Sequence, residues 1–388
     1  MALKNNTWKL NQWYDQSVAG NVDYTGTSEF WLWGKQEFGS FGINIGGTIY
    51  RSSPVQLSGN TWQTEFYNNH NQAWHQVVAK TDGTLWSWGK GSDWGQLGLN
   101  QRSPSIRYSS PVQIGSGTDW KLGGTTREGS FAVKTDGSLW GWGSNQRGEM
   151  GQNDRNTYSS PVQIPGTTWD KAYGGFTSIL AIKTDGTLWG IGEGGYGRLA
   201  QNNQTVYSSP VQIPGTWSSA SMDGAYGVGA INTDGELYMW GYNSSGVLAQ
   251  NDQISRSSPV QVTGTWSYFE NAGEGAGGRK SDGTLWMWGA NDYGMLGQNQ
   301  APTSGLPRVS SPVQIPGTSW NRISFSGRNG AATKTDGTLW SWGDNSQGHC
   351  AQNNTTPGYS SPVQIPGTSW LTVGHGGQGN TVMATKNI

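Results

Sequence analysis

Few residues in this chain have types and spacings that could support chemistry. The stretch GIGEGG at Gly190–Gly195 satisfies G-x-G-x-x-G. That pattern cradles a dinucleotide when a strand precedes it, a helix follows it and an acidic residue lies about twenty positions on. Here it interrupts a tryptophan-rich phrase with no helical pattern after it, so no nucleotide site is expected. The histidines are His70, His75, His349 and His375, with one i,i+5 pair and neither H-x-H nor HExxH. That leaves no metal-ligating set. Cys350 is the single cysteine, so neither a disulfide framework nor a cysteine metal cluster is expected. No nucleophile elbow occurs, and the aspartates are mostly consumed by turns. The expectation is a protein that is not an enzyme and carries no cofactor.

The chain spends its residues on repetition. TDGTLWSWG stands at 81–89 and again at 335–343, with variants at 135–143, 184–192, 233–241 and 281–289. SSPVQ ends in proline at Pro54, Pro111, Pro161, Pro210, Pro259, Pro312 and Pro362, seven times at spacings of 49–57 residues. Between the two phrases lies an asparagine in every copy: Asn44, Asn100, Asn153, Asn202, Asn251, Asn299 and Asn353. A further tryptophan follows each SSPVQ phrase. Of 23 tryptophans, only Trp13, Trp74 and Trp94 fall outside these positions and Trp8, which precedes the first copy.

Local chemistry turns the repeat into an architecture. Asp-Gly between apolar runs signals a hairpin, read here as a type I′ turn. The strand after it places Trp86 and Trp88 on one face and Leu85 and Ser87 on the other. No segment carries a 3.6-residue apolar period over three turns, so helix is nearly absent. A unit of about 50 residues with roughly four short strands cannot cover both sheet faces by itself, whereas repetition around an axis can. The fold class is all-β, with seven four-stranded antiparallel blades and tryptophans filling the gaps between them.

TDGTLWSWG…GQLG and SSPVQI resemble the regulator of chromosome condensation repeat, in the wording of bacterial and bacteriophage members, over roughly residues 26–388. The resemblance implies a seven-bladed β-propeller. The founding member is a nucleotide-exchange factor for a small GTPase, but this chain has no basic tail. Of the family's histidines before the strand only His75 matches, so exchange activity is not carried over.

The last 22 residues make half a repeat, and the first copy lacks that half. The spacing therefore predicts that a strand near Val382–Lys386 pairs beside Phe30–Trp33 and closes the ring. Residues 1–25 are left over as an extra strand or a docking arm carrying Trp8, Trp13 and Tyr14.

Partners are sought where the repeats differ. The asparagine-to-SSP stretch grows by insertion, and in repeat proteins such loops gather on one face. The predicted binding loops are Gly46–Tyr50, Gln101–Arg107 and Gln300–Val309. Arg51, Tyr108, Tyr158, Tyr207, Arg256, Val309 and Tyr359 stand before each Ser-Ser, with Arg308 beside Val309. Tyrosine and arginine dominate interface hot spots, so these residues read either as packing between blades or as a rim for a partner protein.

Net charge −1 and 13% charged residues argue against nucleic acid, and no apolar run is long enough to span a membrane. The N-terminus lacks the apolar core of a signal peptide, which gives an expectation of synthesis and residence in a cytoplasm. The functional expectation is a non-catalytic interaction module of a phage virion, with virion proteins as partners. The alternatives are a propeller binding host surface glycans through Trp74 and Trp94, and less so an exchange factor.

Overall fold

The computed structural model describes residues 28–64, 73–222, 227–300, 308–355, 358–376 and 381–387. Residues 1–25, with Trp8, Trp13 and Tyr14, and residues 301–307 of one predicted binding loop lie outside the described residues, as does His70.

Seven antiparallel blades follow one plan, written here as strands a to d from the axis outward. In blade 3 these are Trp120–Thr125, Gly129–Lys134, Leu139–Gly143 and Tyr158–Ile164, paired in that order. Strand a carries the tryptophan after SSPVQ, c carries LWSWG, and d carries SSPVQ itself. The a strands of successive blades touch one another around the axis. Strand d lies outermost, where proline's missing N–H leaves no ladder bond unmade. In blade 2 the described residues give strands b to d, and an isolated bridge between Trp62 and Lys80 marks the a position. Blades 5 and 6 share one unbroken strand, Arg256–Ala272, which is d of the first and a of the second.

Ring closure is as the half-repeat predicts. Ser28–Gln36 pairs antiparallel with Thr381–Asn387, placing Phe30 opposite Thr385 and Trp33 opposite Val382. Blade 1 thus takes strands a and b from the C-terminal end and c and d from the N-terminal end.

The Asp-Gly turn is not type I′. Only its glycine has positive φ, 79–82° in all six copies, and its N–H donates to the carbonyl three residues back, as Gly83 does to Lys80. This is a three-residue loop, a type I turn closed by a left-handed glycine. Aspartate favours that choice because its carboxylate accepts the N–H and hydroxyl two residues on, as Asp82 does from Thr84 at 2.9 and 2.6 Å.

The two tryptophans of LWSWG also separate in role. The second of each pair (Trp33, Trp88, Trp142, Trp240, Trp288 and Trp342) is fully buried. Each donates its indole N–H to a carbonyl of the preceding blade at 2.6–2.9 Å. The bond from Trp33 to His349 spans the closure, from blade 1 to blade 7. The first of each pair is half-buried at the ends of the blades except Trp31, which is buried against blade 7, so the expectation that both fill inter-blade gaps holds for the second and, in blade 1, for the first as well. Ile191 takes the second position in blade 4 and is equally buried.

Candidate protein-binding face

An up-and-down blade sends its b–c and d–a connections to one face of the ring, here the turn face, and its a–b and c–d connections to the other, the loop face. The c–d connections are long and, with the first residues of strand d, hold the three predicted binding loops. Their inner halves are committed to structure. A buried asparagine clamps the loop at Asn145, Asn243, Asn291 and Asn345. Its side-chain oxygen accepts from the N–H five residues on, and its amide nitrogen donates to the residue nine on. Sequence reading passed over these residues, although an asparagine two or three places after WG is visible in GSN, GYN, GAN and GDN.

The repeated asparagines link the blades. Asn44, Asn100, Asn153, Asn202, Asn251, Asn299 and Asn353 all have φ of 54–60°, in the left-handed region that asparagine tolerates best among side-chain-bearing residues. Each donates its N–H to the first SSP serine carbonyl of the following blade, at 2.6–3.2 Å, and Asn353 to Ser52 closes the set. The glycine opening the loop is equally constrained. At Gly39, Gly95, Gly148, Gly197, Gly246, Gly294 and Gly348 an added Cβ would lie 3.0 Å or less from that serine's Cα. The SSP phrase is thus a docking strip for the neighbouring blade.

The residues before Ser-Ser are half-buried and turned back onto their own loops. Tyr108 donates its hydroxyl to Gln101 at 2.9 Å, and Tyr158 donates to Asp154 at 2.8 Å. Tyr207 and Tyr359 accept from Asn203 and Asn354. Arg256 pairs with Asp252 at 2.7 Å. Burial pulls the Arg51 pKa below its usual value. Val309 packs beneath, against the core between blades 6 and 7. Arg308 is exposed and reaches the Ser244 carbonyl of blade 5 at 2.6 Å. The structure therefore brings the residues before Ser-Ser to one face, half-buried, with Tyr108, Tyr158, Tyr207, Arg256 and Tyr359 bonded to their own loops.

Other side chains are presented outward. The exposed large hydrophobics of the described residues are Tyr50 (55%), Tyr196 (48%) and Ile254 (64%); Tyr196 and Ile254 stand on c–d loops and Tyr50 at the start of strand d that follows one. Tyr196 adopts φ 58° and packs against Tyr242 with ring centroids 4.5 Å apart and planes tilted by 44°. Arg102 and Arg107 are exposed on the same face. Charges there are mixed, as in the Arg147–Glu193, Arg308–Glu274 and Arg328–Asp344 pairs. Trp74 and Trp94 are half-buried rather than exposed platforms. The face of Trp74 is taken by Lys90, whose Nζ lies 3.9 Å from the ring centroid.

The candidate chemical groups are structural. His75 and His375 are buried, burial lowers both pKa values to about 3, and both bond serine hydroxyls (Ser130 and Ser324) at 2.8 and 2.9 Å. Burial pushes the Cys350 thiol up to about 12, so it stays a thiol. No group of three or more His, Cys, Asp or Glu among the described residues could hold a metal. Gly190–Gly195 runs from strand c of blade 4 into a three-residue 3-10 turn, with no α-helix to receive a phosphate.

Comparison with known proteins matches this geometry. The family described as "Regulator of chromosome condensation (RCC1) repeat" matches residues 136–173, 234–268 and 282–325. Each match begins at an Asp-Gly turn and ends in strand a of the next blade. Human WBSCR16 superposes with a TM-score of 0.76 at 18% identity, covering 92% of this chain and 98% of that one. Prp20p from Saccharomyces cerevisiae, whose binding to Gsp1p and histones is described with its structure, gives 0.74 at 16% identity, covering 96% and 94%. The fold is that of the RCC1-type propeller. The human probable E3 ubiquitin-protein ligase HERC3 is 36% identical over 93 residues, 24% of this chain. That match spans only 9% of the relative's own length.

Proposed function

We propose that this propeller is a non-catalytic binding module that joins a larger assembly, a phage virion, by seating its loop face on another protein. One observation carries the reading: Tyr50, Tyr196 and Ile254 all expose their side chains at that face, the last two on c–d loops and Tyr50 where a c–d loop enters strand d. Those loops are pre-ordered by the blade-to-blade bonds of Asn44, Asn202 and Asn251, and the Ile254 loop also by buried Asn243, so little entropy is lost when a partner docks. Low net charge and a surface of Asn, Gln, Gly and Thr suit packing beside other subunits without long-range repulsion. The solved relative that binds Gsp1p and histones supports protein partners as the class. The buried histidines and inert thiol support the non-catalytic part.

The test replaces Tyr50, Tyr196 and Ile254 together by serine and, separately, deletes residues 301–308. Incorporation into the native particle is then measured by quantitative mass spectrometry alongside the melting temperature. The reading expects a folded triple variant with incorporation reduced about tenfold or more, as loss of central aromatic anchors does elsewhere. Parental incorporation of both folded variants, or turnover of any small molecule, would overturn it.

A further inference from the structure

The turn face carries a second repeated device, with one member missing. A residue at the turn-face end of strand b stands opposite the tryptophan of strand a in every blade. In blades 2, 3, 4, 6 and 7 it is lysine: Lys80, Lys134, Lys183, Lys280 and Lys334. Each ammonium lies 4.0–5.3 Å from the centroids of two aromatic rings, that tryptophan and the first of LWSWG. In blade 1 Lys386 lies 5.7 Å from Trp370. The chain thus holds a lysine ammonium on aromatic rings in six of its blades, a contact favoured by the ring quadrupole.

Blade 5 keeps the rings and lacks the lysine. Trp217 pairs with Tyr238 at 5.6 Å and 89°, but the residue opposite Trp217 is Asn232. Beside them a cleft of about 440 Å³ opens on the turn face, lined by Pro214, Gly215, Thr216, Trp217, Asp234 and Tyr238.

The electrostatics differ in the same direction. Five blades place Thr or Ser two residues after the turn aspartate, where its hydroxyl bonds that carboxylate. Blade 5 places Glu236 there. Its Oε2 accepts from Asn232 at 2.8 Å and from Tyr238 at 3.0 Å, both neutral donors. Blade 1 has the matching glutamate, Glu29, and there Lys386 supplies a cation that opposes the rise in its pKa on burial. Blade 5 is therefore an aromatic pair with two carboxylates, Asp234 and Glu236, and no lysine of its own.

We infer that the blade 5 cleft receives a lysine side chain from a partner protein, its ammonium lying against Tyr238 and Trp217 beside Glu236. The occupant follows from the chain itself: six blades seat an ammonium on a four-carbon stem projecting from extended backbone. The cleft lies on the opposite face from the loops, so its test reads out whether or not the loop face binds.

The experiment titrates the full chain with acetyl-Gly-Lys-Gly-amide, following the Trp217 indole and the Thr233–Glu236 amides by NMR. The uncharged norleucine peptide is the control. Saturable shifts confined to these signals are expected with the lysine peptide, weakened by about tenfold or more with norleucine. Asn232→Lys restores the arrangement of the other blades, so it should fold and should abolish the response. Equal response to both peptides, no saturable response, or an unchanged response in Asn232→Lys would overturn the inference. So would a response seen only after residues 1–25 are removed, which would make the chain's own Lys4 or Lys9 the occupant.

Discussion

Replacing Glu149 by glutamine should stabilise the protein, increasingly so as pH rises from about 4.5 to 7. Glu149 sits in the c–d loop of blade 3 with 1% of its surface exposed. Burial raises its pKa from 4.5 to about 7, against a hydrogen bond from the Arg147 N–H at 2.8 Å. Between those two values the folded state holds the proton and the unfolded state releases it. Stability therefore falls as pH rises from 4.5 to 7, and the full cost persists above 7. A rise from 4.5 to about 7 corresponds to about 3 kcal/mol. Glutamine keeps the oxygen that accepts from Arg147 and cannot ionise, and Gln96 already fills the equivalent place in blade 2. Denaturant unfolding of both proteins at pH 4.5, 6 and 8 is the assay. The difference should be near zero at pH 4.5 and should grow to a few kcal/mol at pH 8. A pH-independent difference, or a less stable variant at pH 8, would refute the reasoning.

Trp342→Ala should cost about 3–5 kcal/mol, while Trp342→Phe should cost less and leave the Met295 carbonyl unpaired; chemical denaturation checks both. His75 and His375, with pKa values lowered to about 3 by burial, are protonated earlier in the unfolded chain than in the folded one. Stability should fall by about 1.4 kcal/mol per pH unit for each histidine as pH drops below 6.5, a slope read most cleanly in the Glu149→Gln background. Gly348→Val drives a side chain against Ser52 across the closure between blades 7 and 1. It should melt well below the parent, with the earliest hydrogen exchange in strands 28–36 and 381–387.

The architecture was legible because three independent phrases count to seven and the leftover half-repeat names its own partner strand. Burial of Trp88 and its equivalents was legible from period two beside a turn. The turn type was misread because Asp-Gly also closes a three-residue loop when Thr precedes it, and only the aspartate φ separates the two. The residues before Ser-Ser were visible as a set, but five of them fold back onto loop partners four to seven residues away, which varying loop lengths conceal. The lysine of KTDG (Lys80, Lys134, Lys183 and Lys334) shows no role in the sequence. Its place between two rings depends on the register of strands a and b, which no local pattern displays. Seeing that register makes Asn232 the informative exception.

The most direct test of the functional account is an image, at side-chain resolution, of the native assembly that contains this chain. The account predicts the loop face seated on another protein, with Tyr50, Tyr196 and Ile254 buried in the contact. An assembly in which those three side chains face solvent, or a chain that purifies from its native source as a free monomer, would contradict it.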